Sequence, residues 1–128
     1  MAMSVEHFGF ETTCAGKSYL PLLERCKRNG WRITLIYLWV PSPEFAAGRV
    51  TGRVSQGGHS IPQDTIARRY FGGLSNMLSL YLPLAHSAAI YDNSGRRRIL
   101  VAEKEASLPL MIYDATRWSR ILELASWK

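Results

Sequence analysis

Residues 31–40 read WRITLIYLWV, and the assignment of this run decides the fold. β-branched and aromatic residues dominate it, which favours a strand over a helix. Its apolar part, ITLIYLWV (33–40), lacks the alternation of a half-solvated strand. The run therefore predicts a strand covered on both faces, as in a parallel sheet. It is also far too short to span a bilayer, which takes roughly 20 apolar residues as a helix.

Working outward from this run, residues 8–13 read as a short strand with a polar end. From Lys17 to Arg28, Leu20, Leu23 and Cys26 recur at helical spacing, and Asn29-Gly30 stops that helix. Downstream, Ser42 is placed to N-cap a helix with Pro43 at its first position. Ala46, Val50 and Val54 line one stripe of that helix, and Arg49 and Arg53 sit four apart on another. A second helix starts at Pro62, with Ile66, Tyr70, Leu74, Met77, Leu78 and Tyr81 as its apolar face and Gly72-Gly73 as a weak point. The stretch AAIYDNS (88–94) reads as another buried strand. RRRILVAEKEA and LPLMIYD predict a hairpin around 104–108, and TRWSRILELAS a final amphipathic helix. The expected fold is α/β: one domain over 1–128, with a mainly parallel sheet plus a C-terminal hairpin and helix.

The 128 residues carry a net charge of +6, and 47% are apolar against 20% charged, as in a folded globular chain. Part of the excess is a set of arginines: Arg49, Arg53, Arg68, Arg69, Arg96, Arg97 and Arg98. Such an excess suits an anionic partner, phosphorylated small molecules or nucleic acid, and equally a solvated basic surface. Cys14 and Cys26 form no CxxC and have no matching histidine cluster, so no metal site is expected. Two unpaired cysteines and the absence of a basic-then-apolar leader predict a reduced, cytoplasmic protein with no membrane partner.

Gly16-Lys17-Ser18 is the ending of a phosphate-binding loop, GxxxxGK[ST]. Counting back, the required first glycine is replaced by Glu11. A carboxylate there repels phosphate and does not adopt the glycine backbone readily. The triplet is therefore expected to open a helix and not to hold a nucleotide.

FGFETT, the stretch LIYLWVPSPEFAAGRVTGRVSQGGHSIP, IARRY and IYDNS follow one another in one order and spacing. Together they resemble the zeta toxin-like family of P-loop kinases, in its branch of short bacterial predicted ATPases. The resemblance covers about Phe8 to Ala102 and implies a kinase-like three-layer α/β fold. It also implies transfer of the ATP γ-phosphate to a hydroxyl of a UDP-amino sugar or similar acceptor, with ATP and Mg as cofactors. By the same resemblance Glu11 and Thr13 orient the phosphate acceptor, with His59 on a lid-like segment. Arg53 and one of the pair Arg68 and Arg69 contact the transferring phosphate, and Asp92 and Asn93 lie on the nucleotide side.

The glycine-rich loop, its helix and the acidic general base of that family have no counterpart in this sequence. The expectation is thus an N-terminally truncated kinase-like domain that keeps the acceptor and lid elements, binds no cofactor alone and is inactive by itself. Its expected partners are a small phosphate acceptor, an antitoxin, a separately encoded N-terminal half or a second copy. Nucleic acid is the less favoured ligand. The alternative is a non-catalytic module whose basic site binds a nucleotide, a nucleic acid or a protein.

Overall fold

The computed structural model describes Cys14, residues 16–46 and residues 63–126. Its elements are helix α1 (Leu20–Arg28), strand β1 (Thr34–Trp39), helix α2 (Gln63–Asn76), strands β2 (Ser87–Asp92), β3 (Ile99–Glu105) and β4 (Met111–Ile112), and helix α3 (Ala115–Ala125). Asn29 and Gly30 end α1 as expected, with Gly30 at φ 84, a left-handed backbone that glycine takes at no steric cost. A further helix opens at Pro43, and the Ser42 hydroxyl accepts from the Phe45 amide at 3.1 Å, which is the predicted cap.

The helix that begins with α2 does not break at Gly72-Gly73. It widens instead to a π-turn over Met77–Tyr81 and tightens again over Leu82–Leu84. Pro83 accounts for this: it has no N–H to donate, and its ring clashes with the carbonyl one turn back. A wider turn just before it relieves the clash.

The sheet has the order β1-β2-β3-β4. Among the described residues β1 and β2 are the one parallel pair; β2 with β3 and β3 with β4 are antiparallel. The expected mainly parallel sheet is therefore a mixed one. Connection length explains it. The β1–β2 link holds a helix long enough for a crossover, whereas the links after β2 and β3 are short turns that only reverse the chain. His86 pins the amino ends together: its Nδ1 accepts from the Ile33 amide at 3.1 Å and its carbonyl from the Ala106 amide at 2.6 Å.

One face of the sheet is the core. Trp39, Ile90, Val101 and Ala102 pack with Leu74, Met77 and Tyr81 of the α2 helix and its continuation, and with Ile121 and Leu124 of α3. A register shift between Ile90 and Tyr91 leaves Val101 opposite no residue and turns it fully inward. Lys104 closes the far side of this core, donating to the Leu82 and Ala85 carbonyls at the end of the helix.

The other face is not covered as the β1 sequence predicts. Ile36 and Leu38 are 62% and 41% exposed. Ser87, Ala89 and Tyr91 beside them, and Leu100, Glu103, Glu105 and Met111 beyond, are all half-buried or exposed. Among the described residues α2, its continuation and α3 pack on the core face, and the expected third layer is not seen among them.

Candidate functional site

Parallel α/β sheets take ligands at the carboxyl ends of their strands, where loops and helix starts converge. Here that end is built by β1 and β2. Trp39 and Asp92 are register partners, and the Asn93 amide donates to the Trp39 carbonyl at 2.8 Å, which holds the two strand ends side by side.

Helix α2 is fastened to the same end by Tyr70, whose hydroxyl donates to the Val40 carbonyl at 2.6 Å. Burial pushes the Tyr70 phenol up to about 12, against the opposing pull of the Trp39 indole directed at its oxygen. The indole contact is loose, because that buried N–H makes no hydrogen bond of good geometry. The Tyr70 ring also stands edge-on to Phe71, with centroids 5.2 Å apart. Arg68 and Arg69 precede Tyr70 on the same helix, and because neighbouring helical side chains diverge by about 100° they leave it on other sides than the one Tyr70 turns to β1. Both are exposed, and neither has an ion-pair partner among the described residues.

Asp92 is buried and engaged. Its carboxylate accepts from the Ser94 amide at 2.9 Å and from Arg117 Nε at 2.6 Å. Burial pushes this carboxyl up, but the hydrogen bonds from Ser94 and Arg117 outweigh it and hold the group below the ordinary carboxylate range. Arg117 also binds Asp114, which caps α3 by accepting from the Arg117 amide at 3.0 Å. Two carboxylates on one guanidinium leave this corner without surplus positive charge. Its chemistry is that of a clamp joining α3 to the end of β2, and a phosphate would meet two acidic groups there.

The predicted site residues thus separate into three groups. Arg68 and Arg69 are exposed on α2 with no ion-pair partner among the described residues, while Asp92 and Asn93 are at the carboxyl end of β2 and tied into the fold. Glu11, Thr13, Arg53 and His59 lie outside the described residues, as does Arg49. Arg96, Arg97 and Arg98 are exposed in the turn from β2 to β3. Gly16, Lys17 and Ser18 form the approach to α1, where the Gly16 carbonyl accepts from the Tyr81 hydroxyl at 2.8 Å. Just before them, the Cys14 thiol is buried and pushed up to about 11 by that burial, so it stays protonated and poorly nucleophilic near neutral pH.

Sequence reasoning missed Tyr70 as a tie and Arg117 as a clamp. The spacing of Asp114 and Arg117 at a helix start is a local cue for the cap. Nothing local announces the pairing of Arg117 with Asp92, 25 residues earlier.

Among the described residues no group of three or more histidine, cysteine or acidic side chains could hold a metal ion, and no helix is long and apolar enough to cross a membrane. No known protein family and no solved structure matches the chain. It is 34% identical over 67 residues to a protein of Haemophilus influenzae described only as uncharacterized. That match spans 51% of this chain and 48% of the relative, so about half the length of each is shared.

Proposed function

We propose that the chain is the acceptor-side portion of a cytoplasmic zeta toxin-like phosphotransferase domain, and that it binds its ligand without transferring phosphate by itself. The observation that supports this reading most is that Arg68 and Arg69 are exposed and without an ion-pair partner among the described residues, on the helix that Tyr70 ties to the end of β1. Guanidiniums of this kind suit the neutralisation of a phosphate on a bound nucleotide sugar. The ordered motifs from FGFETT to IYDNS support it from the sequence side.

The described residues do not fit Mg-ATP. Asp92 and Asp114, the acidic groups at the Arg117 corner, are both engaged by that arginine. The sequence supplies no glycine-rich loop ending in GK[ST] with its leading glycine. No transfer step is therefore assigned to this chain. An antitoxin and a separately encoded nucleotide-binding half remain partners of the proposal.

The test pairs an ATP turnover assay with calorimetry. The pure protein should show no phosphate transfer to UDP-amino sugars, yet bind a UDP-amino sugar with an affinity that Arg68→Ala/Arg69→Ala weakens about tenfold or more. Turnover that follows the protein through chromatography and is lost in Arg53→Ala would overturn the inactive part of the reading. Heat with short DNA alone, steeply reduced by salt, would favour the alternative of a nucleic-acid-binding module, which the unpaired Arg68 and Arg69 also allow.

A further inference from the structure

The turn from β2 to β3 carries Arg96, Arg97 and Arg98 in succession, all exposed. A run of this kind can guard a strand edge against unwanted pairing. Here β3 lies between β2 and β4, and its outer side is occupied as far as Val101, whose carbonyl accepts from the Tyr113 and Asp114 amides. Edge protection therefore leaves most of the charge unexplained.

The root of the turn is fixed. The Asn93 amide donates to the Trp39 carbonyl at 2.8 Å, the Ser94 amide to the Asp92 carboxylate at 2.9 Å, and Ile99 pairs with Asp92. Asp92 is itself locked by Arg117. The three arginines thus sit on a short loop with a rigid base. That base is the carboxyl end of the parallel pair, where α/β sheets take their ligands.

No carboxylate among the described residues pairs with any of the three. Asp92 and Asp114 share Arg117, which leaves one surplus negative charge at that corner against three positive charges on the turn. Guanidiniums in succession repel one another, and an anion carrying more than one charge relieves that repulsion. Their forked N–H donors match phosphate oxygens in pairs. Nucleic acid draws its affinity from cations spread along many phosphates. Three cations at consecutive positions suit two phosphoryl groups held close together.

We propose that the β2–β3 turn is an anion site that takes the diphosphate group of a small molecule through Arg96, Arg97 and Arg98. The proposal goes beyond the phosphotransferase reading, because it assigns other residues than Arg68 and Arg69 and holds whether or not those two bind a ligand.

Calorimetry of the whole chain with inorganic pyrophosphate and with UDP, at physiological salt, tests it. Both should bind at one site per chain. Arg96→Gln with Arg97→Gln and Arg98→Gln should weaken both about tenfold or more while the protein stays folded. The corresponding three lysine changes keep the charge without the fork and should recover only part of the loss. Arg68→Ala with Arg69→Ala should leave pyrophosphate binding intact. UDP binding tighter than pyrophosphate supports the site with a nucleotide as the source of the diphosphate, and equal affinities support it with the bare group as the ligand. Absence of heat with both ligands overturns the proposal, as does binding indifferent to the glutamine changes. Pyrophosphate binding lost only in the Arg68/Arg69 variant also overturns it, yet leaves the phosphotransferase reading standing. Binding of short DNA alone through these arginines overturns it in favour of nucleic acid.

Discussion

The two faces of one sheet differ more than any two elements of this protein. Alternate residues of a strand point to opposite sides, so β1 and β2 contribute equally to both. On the helix-covered side Trp39 and Ile90 are 3% and 0% exposed, whereas on the other side Ile36 is 62% exposed. Composition does not separate them, since Ile36 and Leu38 are as apolar as the residues beneath the helices. What separates them is where the crossover helix and α3 come to rest. A right-twisted strand feeding a right-handed crossover packs its helix on one predetermined side, and the C-terminal helix settles on that same layer.

Mutations can break this contrast directly, and the largest effect belongs to the covered side. Ile90→Ala removes a fully buried side chain from between the helices and should cost about 3 kcal/mol in urea unfolding. The matched change Ile36→Ala on the open side should cost the monomer less than about 1 kcal/mol. Equal costs would mean that both sides are packed alike, and the contrast would fail.

The next effect is the clamp at the end of β2. Asp92→Asn weakens the bond to Arg117, which keeps Asp114 and is itself partly exposed, so a loss of about 2 kcal/mol is expected. The wild-type contribution also has a pH signature. The folded carboxyl is held below its ordinary value of 3.8, so its contribution is complete above about that pH and is lost as pH falls through the lower folded value. Stability measured between pH 6 and pH 3 should therefore fall more for the wild type than for Asp92→Asn. Parallel curves would show that Asp92 does not carry the acid sensitivity.

The smallest effect separates stability from site geometry. Tyr70→Phe keeps the ring beside Phe71 and removes only the bond to the Val40 carbonyl, at a cost of about 1 kcal/mol. If the tie sets the helix carrying Arg68 and Arg69, affinity for a UDP-amino sugar should fall several-fold while the melting temperature drops by only roughly 3–5 °C. An unchanged affinity would detach Tyr70 from the site.

Much of the fold was legible before any coordinates. The strand at 33–40, the stop at Asn29-Gly30, the Ser42 cap, the hairpin from β3 to β4 and the last helix all follow from local chemistry. Gly72-Gly73 was a poor guide, because tertiary packing of Leu74 and Met77 holds the helix through it. The real irregularity sits before Pro83, where a donor is missing. Of the candidate site, the sequence pointed to Arg68 and Arg69, which are exposed on α2, but the engagement of Asp92 depends on a residue 25 positions away.

The apolar run WRITLIYLWV determined that a strand stands here, since β-branched and aromatic residues in unbroken succession leave few other conformations. It could not determine how many layers cover that strand, because burial is a property of neighbours and not of the run. That was decided by the tertiary structure, through the side on which the crossover helix packed and the short turns that made β3 and β4 antiparallel. The same placement left Ile36 and Leu38 exposed on the side away from those helices.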